Sequence, residues 1–164
     1  MVVFTRIDDR LIHGQVVEGW VNFLKATLIL VADDRVATSA LQRSIMEISA
    51  PQGLKVLIGT VEEICDQLQD SVPGKERAIL LFSTPADVLR ALRRGLDCRV
   101  LNIGGMHFMP GKRKLIDVVA VDDRDVEALR EIAAQGIKVE IQTVPNQKPV
   151  PLDKLFKVCQ VKKS

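Results

Sequence analysis

The sequence predicts a single α/β domain: a doubly wound, mostly parallel sheet of about seven strands with helices on both faces. Short apolar runs alternate with helix-like segments along almost the whole chain. The runs Thr27–Val31 and Ala78–Phe82 are apolar almost throughout, as expected for parallel strands that are buried on both faces. A chain of 164 residues is long enough to form one substantial core, so we expect one domain over residues 1–164.

Seven apolar runs, each bounded by polar or turn-forming residues, are the predicted strands. In order they are Val2–Ile7, Thr27–Val31, Lys55–Ile58, Ala78–Phe82, Arg99–Ile103, Ile116–Val121 and Lys138–Thr143. Right-handed crossovers make successive strands parallel. In such sheets ligands bind beyond the carboxyl ends of the strands, near the point where the strand order reverses. The loops expected at that edge contain Asp8–His13, Asp33-Asp34, Ser83-Thr84 and Gly104–Met109.

Capping signals mark the predicted helices. These are Gly14–Lys25, Asp33 or Asp34 to Ser49, Thr60 to about Asp70, Thr84 to Gly95, Asp122 to Gly136, and a short helix around Leu152–Val161. Thr60 and Glu63 form a capping box, and Pro85 occupies the first helical position after the cap Thr84. The last segment, 145–164, contains three prolines before its short helix.

Composition excludes several classes of protein. Hydrophobic residues make up 47% and charged residues 27%, which is typical of a soluble domain. The net charge of +2 gives no reason to expect a nucleic-acid partner. Cys65, Cys98 and Cys159 have neither metal-ligand nor redox spacing, so no metal site is expected, and free thiols suit a reducing cytosol. The chain has no secretory signal and no apolar stretch of membrane-spanning length, which predicts a cytoplasmic protein without direct membrane insertion.

The segment Asp8–Gln15 is the most informative part of the chain because it places His13 between the first strand and the first helix. Arg10 can pair with phosphate oxygens through its planar fork, and Gly14 allows close backbone approach. The following helix start presents free N–H groups. This loop therefore predicts a phosphoryl site in which the imidazole is the nucleophile. The alternatives are a helix-cap role for His13 and a surface ion pair between Arg10 and Asp8 or Asp9.

Further candidates surround this loop. Gln15 is either a first-turn helix residue or an amide donor to a phosphate oxygen. Ser83 and Thr84 are first of all helix caps, but their hydroxyls and the N–H groups after them can also contact an oxyanion. Gly104-Gly105 indicates a turn, and His107 is interpreted as a loop residue that could lie near His13. Neither a Walker phosphate loop nor a dinucleotide fingerprint occurs, so no nucleotide cofactor is expected.

At this point the residues resemble a known family. The segment Arg6–Val16, with Trp20 beyond it, is similar to the active-site segment of the mannose/fructose/sorbose family of phosphotransferase-system IIB proteins. The resemblance continues through Leu80–Val88, Asn102–Met106, Gly111-Lys112 and the helix Asp122–Gly136, and so covers nearly the whole chain. The first motif is highly specific, whereas the others are weak alone.

The resemblance implies a mostly parallel α/β sheet and an enzymatic role, that of a protein-Nπ-phosphohistidine–sugar phosphotransferase. His13 would accept a phosphoryl group on Nδ1 from the phosphohistidine of a IIA protein, and Arg10 would stabilise its charge. The group would pass to a sugar held by membrane IIC and IID subunits. Because the chain starts at the first strand, the IIA donor is expected to be a separate protein.

Three matters stay open in the sequence. A regulatory phosphoprotein of the same fold, without a transport role, is the alternative function, and a nucleotide-binding oxidoreductase is a distant third. The sugar cannot be read from this chain, because the resemblance places its binding site in the membrane subunits. An exposed sheet edge or apolar helix face could support a homodimer.

Overall fold

A computed structural model describes residues 1–70 and 76–161, with side chains described through Phe156. Nine strands are present in this part of the chain: β1 Val2–Asp8, β2 Leu28–Ala32, β3 Lys55–Gly59, β4 Ala78–Phe82, β5 Val100–Gly105, β6 Arg113–Ile116, β7 Val119–Val121, β8 Lys138–Ile141 and β9 Val150–Pro151. Seven of them form one sheet in the order β3-β2-β4-β1-β5-β8-β9. All neighbours in this sheet are parallel except β8 and β9, which confirms the predicted fold class.

Helices cover both faces of the sheet. They are α1, formed by wide π-helical turns over Gln15–Val21 and one α-helical turn Asn22–Leu24, followed by α2 Asp34–Ala37, α3 Ala40–Ser49, α4 Val61–Asp70, α5 Pro85–Arg93, α6 Asp123–Ala134 and α7 Leu152–Val161. Within the described ranges, no helix combines the length and the apolar character that crossing a bilayer requires.

Alternate side chains of the buried strands point into two separate cores, as the pleat requires. Ile29 and Val31 pack with Val16 and Trp20 of α1, whereas Leu30 packs in the opposite core. That second core also contains buried side chains of α4, α5 and α6, namely Val61, Ile64, Val88, Leu89, Leu129 and Ile132. Helices α1 to α3 therefore lie on one face and α4 to α7 on the other.

The chain leaves β1 toward one face of the sheet and leaves the two neighbouring strands, β4 and β5, toward the other face. Adjacent connections that diverge in this way open a crevice at the carboxyl ends of the strands. The loop Asp8–His13 lies at this crevice, as the sequence predicts.

The predicted strand Ile116–Val121 was wrong. Asp117 and Val118 form a turn that separates β6 from β7, and these two strands pair antiparallel outside the main sheet. Among the described residues, one isolated bridge, between Met106 and Val119, joins this hairpin to the end of β5. The seventh strand of the sheet is instead β9, at an edge position where proline is tolerated.

The single helix predicted from Asp33 to Ser49 was also wrong, because a second cap divides it. Asp33 accepts hydrogen bonds from the N–H groups of Arg35 and Val36 and starts α2. Ser39 then accepts one from the N–H of Gln42 and starts α3 as a new helix. The predicted short helix at the end of segment 145–164 is present as α7. Residues 162–164 and the side chain of Cys159 lie outside the described residues.

Helix α3 turns three large aliphatic side chains, Leu41, Ile45 and Ile48, toward solvent. Their i, i+4, i+7 spacing places them on one side of the helix. The homodimer stays a prediction, and α3 offers the apolar helix face that it would need.

Candidate functional site

The loop after β1 is a tight turn anchored by two buried side chains. The N–H of Leu11 donates to the carbonyl of Asp8 at 2.9 Å, and Leu11 has a φ of 56°. The side chains of Leu11 and Ile12 are both buried in the core beneath α1. The carbonyl of His13 then accepts a hydrogen bond from the N–H of Val17, so His13 is held where the helix begins.

One nitrogen of the His13 ring faces the protein interior. Its Nε2 atom is buried and lies 3.0 Å from Oδ2 of Asp8, while 16% of the His13 side chain is exposed. The contact is bent, since Nε2 makes no well-directed hydrogen bond to any of the described residues. Nε2 is thus closed to an incoming group, and Nδ1 is the ring nitrogen that is not held against Asp8.

Asp8 joins the histidine to two arginines. Its fully buried carboxylate lies 3.0 Å from Nη2 of Arg6 and 3.5 Å from Nε of Arg10, and it accepts from the Arg10 backbone N–H at 3.3 Å. Burial raises the pKa of this carboxyl, but contacts with His13 and then with Arg6 more than offset it. The pKa of Asp8 therefore lies below its usual range. The carboxylate stays ionised and can orient the imidazole.

Arg6 is completely buried under the loop, and sequence reasoning did not single it out. Its guanidinium donates to four acceptors: Oδ1 of Asn102 at 2.5 Å, the carbonyl of Gln142 at 2.9 Å, Oδ2 of Asp8 at 3.0 Å and the carbonyl of Thr143 at 3.2 Å. The Arg6 Cζ atom also lies 5.5 Å from the centre of the Trp20 ring. The sequence did contain a signal for this buried ion pair. It places a charged residue inside an apolar strand and a carboxylate two residues later on the same face.

The space for Arg6 depends on Gly104. A Cβ atom at this position would lie 1.7 Å from Nη2 of Arg6. The sequence suggested that Gly104-Gly105 serves a turn, but Gly104 is the last-but-one residue of β5. Its lack of a side chain makes room for the buried guanidinium.

Arg10 lies at the surface of the same loop, with 41% of its side chain exposed. Its Nη2 donates to Oε1 of Gln15 at 3.1 Å, so the two residues predicted to contact phosphate contact each other. A Cβ atom on Gly14 would meet no atom of the described residues within 4 Å. The structure thus brings Arg10, Gly14 and Gln15 together around His13, with open space beside the glycine.

Ser83 and Thr84 have carboxylate partners at the end of β4. The Ser83 hydroxyl donates to Oδ2 of Asp33. The Thr84 hydroxyl donates to Oδ2 of Asp87 at 2.6 Å and accepts from the Asp87 N–H at 3.2 Å, which is the cap predicted for α5. Their contact with a phosphoryl group stays a prediction.

His107 pairs with Asp9 rather than standing alone in its loop. Oδ2 of Asp9 accepts from the His107 N–H at 2.7 Å, and Oδ1 lies 2.5 Å from Nδ1 of the ring. The N–H of Asp9 also donates to the carbonyl of Gly105 at 3.1 Å. These contacts join the loop after β5 to the loop that contains His13. The sequence left the position of His107 open because it does not reveal that β5 lies beside β1.

Other reactive groups lie away from this loop. Cys65 is a buried residue of α4, and burial raises the pKa of its thiol, which keeps it protonated. In the part of the chain that the structure describes, no three His, Cys, Asp or Glu side chains are grouped so that they could hold a metal ion.

Comparison with known proteins gives consistent matches over most of the chain. The family model for the sorbose subfamily IIB component of the PTS (phosphotransferase) system matches residues 2–164. The N-acetylgalactosamine-specific phosphotransferase enzyme IIB component 2 of Escherichia coli K12 is 36% identical over 94% of this chain and 98% of its own length. The mannose-specific EIIAB component of the same strain is 34% identical over 88% of this chain and 45% of its own length. Among solved structures, the IIBSor domain of the Klebsiella pneumoniae sorbose permease superposes with a TM-score of 0.91, at 33% identity, over 96% of this chain and 97% of that domain.

Proposed function

The chain belongs to the sorbose subfamily of IIB components of the phosphotransferase system, and we propose that it acts there as a phosphocarrier whose acceptor atom is Nδ1 of His13. The observation that carries this proposal is the contact between His13 Nε2 and Asp8 Oδ2. It leaves Nδ1 as the nucleophilic nitrogen of the ring. The Asp8 carboxylate also places a negative charge on the side of the ring opposite to Nδ1.

The transfer needs little chemistry from the protein beyond orientation. The P–N bond of the donor's phosphohistidine breaks as a new P–N bond forms at His13 Nδ1, and the donor imidazole leaves neutral. The Asp8 carboxylate lies 3.0 Å from Nε2 and stabilises the positive charge that phosphorylation places on the ring. Because this negative charge lies beside Nε2, it favours the tautomer that carries its proton there and leaves Nδ1 free to attack.

Arg10 is the residue we assign to the phosphoryl oxygens. Phosphoryl transfer depends mainly on in-line positioning and on positive groups around the equatorial oxygens. The guanidinium of Arg10 is exposed beside His13, and Gln15 holds it through its side-chain oxygen. The open space at Gly14 and the N–H groups at the start of α1 would accommodate the remaining oxygens.

We assign Ser83 and Thr84 a smaller role in binding the phosphoryl oxygens. A contribution from their hydroxyls would require each to exchange a carboxylate for a phosphate oxygen. We therefore place the phosphoryl oxygens first on Arg10 and on the segment Gly14-Gln15.

The partners follow from the same chemistry. The donor would be a phosphorylated IIA protein, and the acceptor a sugar held by membrane IIC and IID subunits, with the chain working in the cytoplasm. The mannose-specific relative carries both IIA and IIB in its name, which supports a IIA partner for this chain. The alternative, a regulatory phosphoprotein, requires the same modification of His13 but yields no sugar phosphate.

The test is phosphorylation followed by transfer. The chain is incubated with phosphoenolpyruvate, the general phosphotransferase proteins and a IIA protein, and is then analysed by intact mass and peptide mapping. We expect one acid-labile, base-stable phosphate on His13, which is absent from His13→Ala. Membranes that contain IIC and IID should then convert it to sugar phosphate. A folded chain that stays unmodified beside an active IIA protein would refute the phosphocarrier role, and stable phosphorylation without sugar phosphate would favour the regulatory alternative.

A further inference from the structure

Two large apolar side chains project into solvent directly after His107. Phe108 is 66% exposed and Met109 is 59% exposed. Aromatic and methionine side chains are enriched in protein interfaces relative to the rest of the surface. Neither side chain belongs to the two buried cores of the described residues, so their apolar character does not serve the fold.

The segment that carries them is held at both ends. On one side, His107 is bound to Asp9 through its backbone and its ring. On the other side, the N–H of Lys112 donates to the carbonyl of Met109 at 3.0 Å, and Lys112 Nζ lies 2.9 Å from Asp125. A prominence that is fixed before binding loses little conformational entropy when a partner covers it.

This prominence borders the His13 site. Asp9, which holds His107, lies between Asp8 and Arg10 in the loop. A Cβ atom built on Gly105 would lie 3.4 Å from both Asp8 Oδ1 and His107 Cε1, so the two side chains approach the same point. Phe108 and Met109 directly follow His107, so the segment that carries them starts at the loop a phosphoryl donor must approach.

We propose that Phe108 and Met109 form a docking surface for the phosphodonor protein and contact an apolar area beside its phosphohistidine. This inference rests on the function proposed above. Before transfer, the surface around His13 combines the apolar side chains of Phe108 and Met109 with the exposed guanidinium of Arg10. Such a surface is complementary to an apolar area that surrounds a phosphate. After transfer the phosphate on His13 neutralises Arg10, and the attraction to the donor falls. Charge therefore favours the donor, rather than the sugar-bearing acceptor, as the occupant of this surface.

The test is the dependence of the His13 phosphorylation rate on the concentration of phosphorylated IIA protein. Phe108→Ala and Met109→Ala are measured singly and together. We expect the double variant to raise the KM for the donor about tenfold, with kcat changed less than twofold, because the contact serves binding rather than the reacting atoms. Phe23→Ala is the matched control, since Phe23 is an aromatic side chain of similar exposure (64%) at the far end of α1.

The outcomes separate the two proposals. An unchanged KM in the double variant, with normal phosphorylation of the wild type, overturns the docking surface alone. An unchanged KM together with slower transfer to sugar in membranes assigns the surface to the acceptor and likewise overturns the donor assignment. A wild-type chain that accepts no phosphate from an active donor overturns the proposed function, and the docking surface with it.

Discussion

His13 Nε2 lies 3.0 Å from Asp8 Oδ2, and the same carboxylate oxygen lies 3.0 Å from Nη2 of the buried Arg6. A line of alternating charges therefore runs from the interior of the sheet to a histidine at its edge. Because Arg6 and Asp8 are both inaccessible to solvent, water screens their interaction little. A positive charge that forms on the His13 ring is stabilised by a carboxylate whose position is fixed in advance.

This contact predicts which nitrogen becomes phosphorylated. A phosphoryl group on Nε2 would bring its negative oxygens against the Asp8 carboxylate, whereas one on Nδ1 leaves the protonated Nε2 beside that carboxylate. We expect nitrogen-15 and phosphorus-31 NMR of the phosphorylated chain to show Nδ1-phosphohistidine alone. Detection of the Nε2 isomer as the main species would contradict the assigned role of Asp8.

We expect Arg10 to be important for phosphoryl transfer but to contribute little to the stability of the fold. It is exposed, and its ion pair at 3.5 Å from Asp8 is partly screened by water. We expect Arg10→Ala to keep the free energy of unfolding within about 0.5 kcal/mol and to raise the transfer barrier by about 2–4 kcal/mol. Arg10→Lys keeps the charge but not the planar fork and should recover part of the rate. Urea unfolding and rapid-quench phosphorylation measure the two effects, and a normal rate in Arg10→Ala would remove this residue from the mechanism.

Gly104 and Gly14 form a matched pair for a stability test. A methyl group on Gly104 would overlap the Arg6 guanidinium and force a buried charge away from its four acceptors. We expect Gly104→Ala to lower the free energy of unfolding by about 3 kcal/mol or more. Gly14→Ala enters open space at a helical φ of −49° and should be neutral or slightly stabilising. Equal urea midpoints for the two variants would contradict the packing role of Gly104.

Local signals in the sequence predicted most of the fold. Apolar runs such as Ala78–Phe82 and caps such as Thr84 act over a few residues, so strands and helices can be located without the topology. The hairpin of β6 and β7 was missed because Asp117 and Val118 interrupt what reads as one apolar run. The prediction also missed the second cap at Ser39. There the side-chain oxygen accepts from the Gln42 N–H, so the backbone starts a new helix and does not continue the first one.

The site was predictable only in part, for a reason of topology. His13 and Arg10 stand in one short motif, which local chemistry and family resemblance both single out. The partners of Arg6 come from Asn102 and from residues 142 and 143, which lie beside β1 only because β5 and β8 follow it in the sheet. The contact between Asp9 and His107 has the same origin. Periodicity does not give strand order, so these contacts could not be predicted.

Asp33 predicts a pH dependence of stability. Burial raises the pKa of this carboxyl, but the Ser83 hydroxyl, the Val36 N–H and Arg35 together lower it further, so the pKa lies below its usual range. The folded state therefore favours the ionised form. This stabilisation is complete above the unfolded pKa of about 3.9 and is lost as the pH falls through the lower pKa of the folded state.

Asp33→Asn is the variant that isolates this effect, because asparagine also caps helices well and should keep α2 intact. We expect the difference in free energy of unfolding between wild type and Asp33→Asn to be constant from pH 8 to pH 5 and to shrink below about pH 4. Urea unfolding across this pH range measures it. A difference that widens on acidification would show that the folded pKa is raised instead.

Leu11 supplies the last prediction, because its backbone is strained while its side chain is buried. Its φ of 56° lies in the left-handed region, which costs a residue with a Cβ atom about 1–2 kcal/mol. Leu11→Ala should lose about 2–5 kcal/mol through the vacated space and keep the strain. A glycine usually lowers the free energy of unfolding by about 0.5–1 kcal/mol relative to an alanine, but at this position it relieves the backbone strain. We therefore expect Leu11→Gly to unfold at a urea concentration no lower than Leu11→Ala. If Leu11→Gly is the less stable of the two by its usual margin, the turn that presents His13 is not strained.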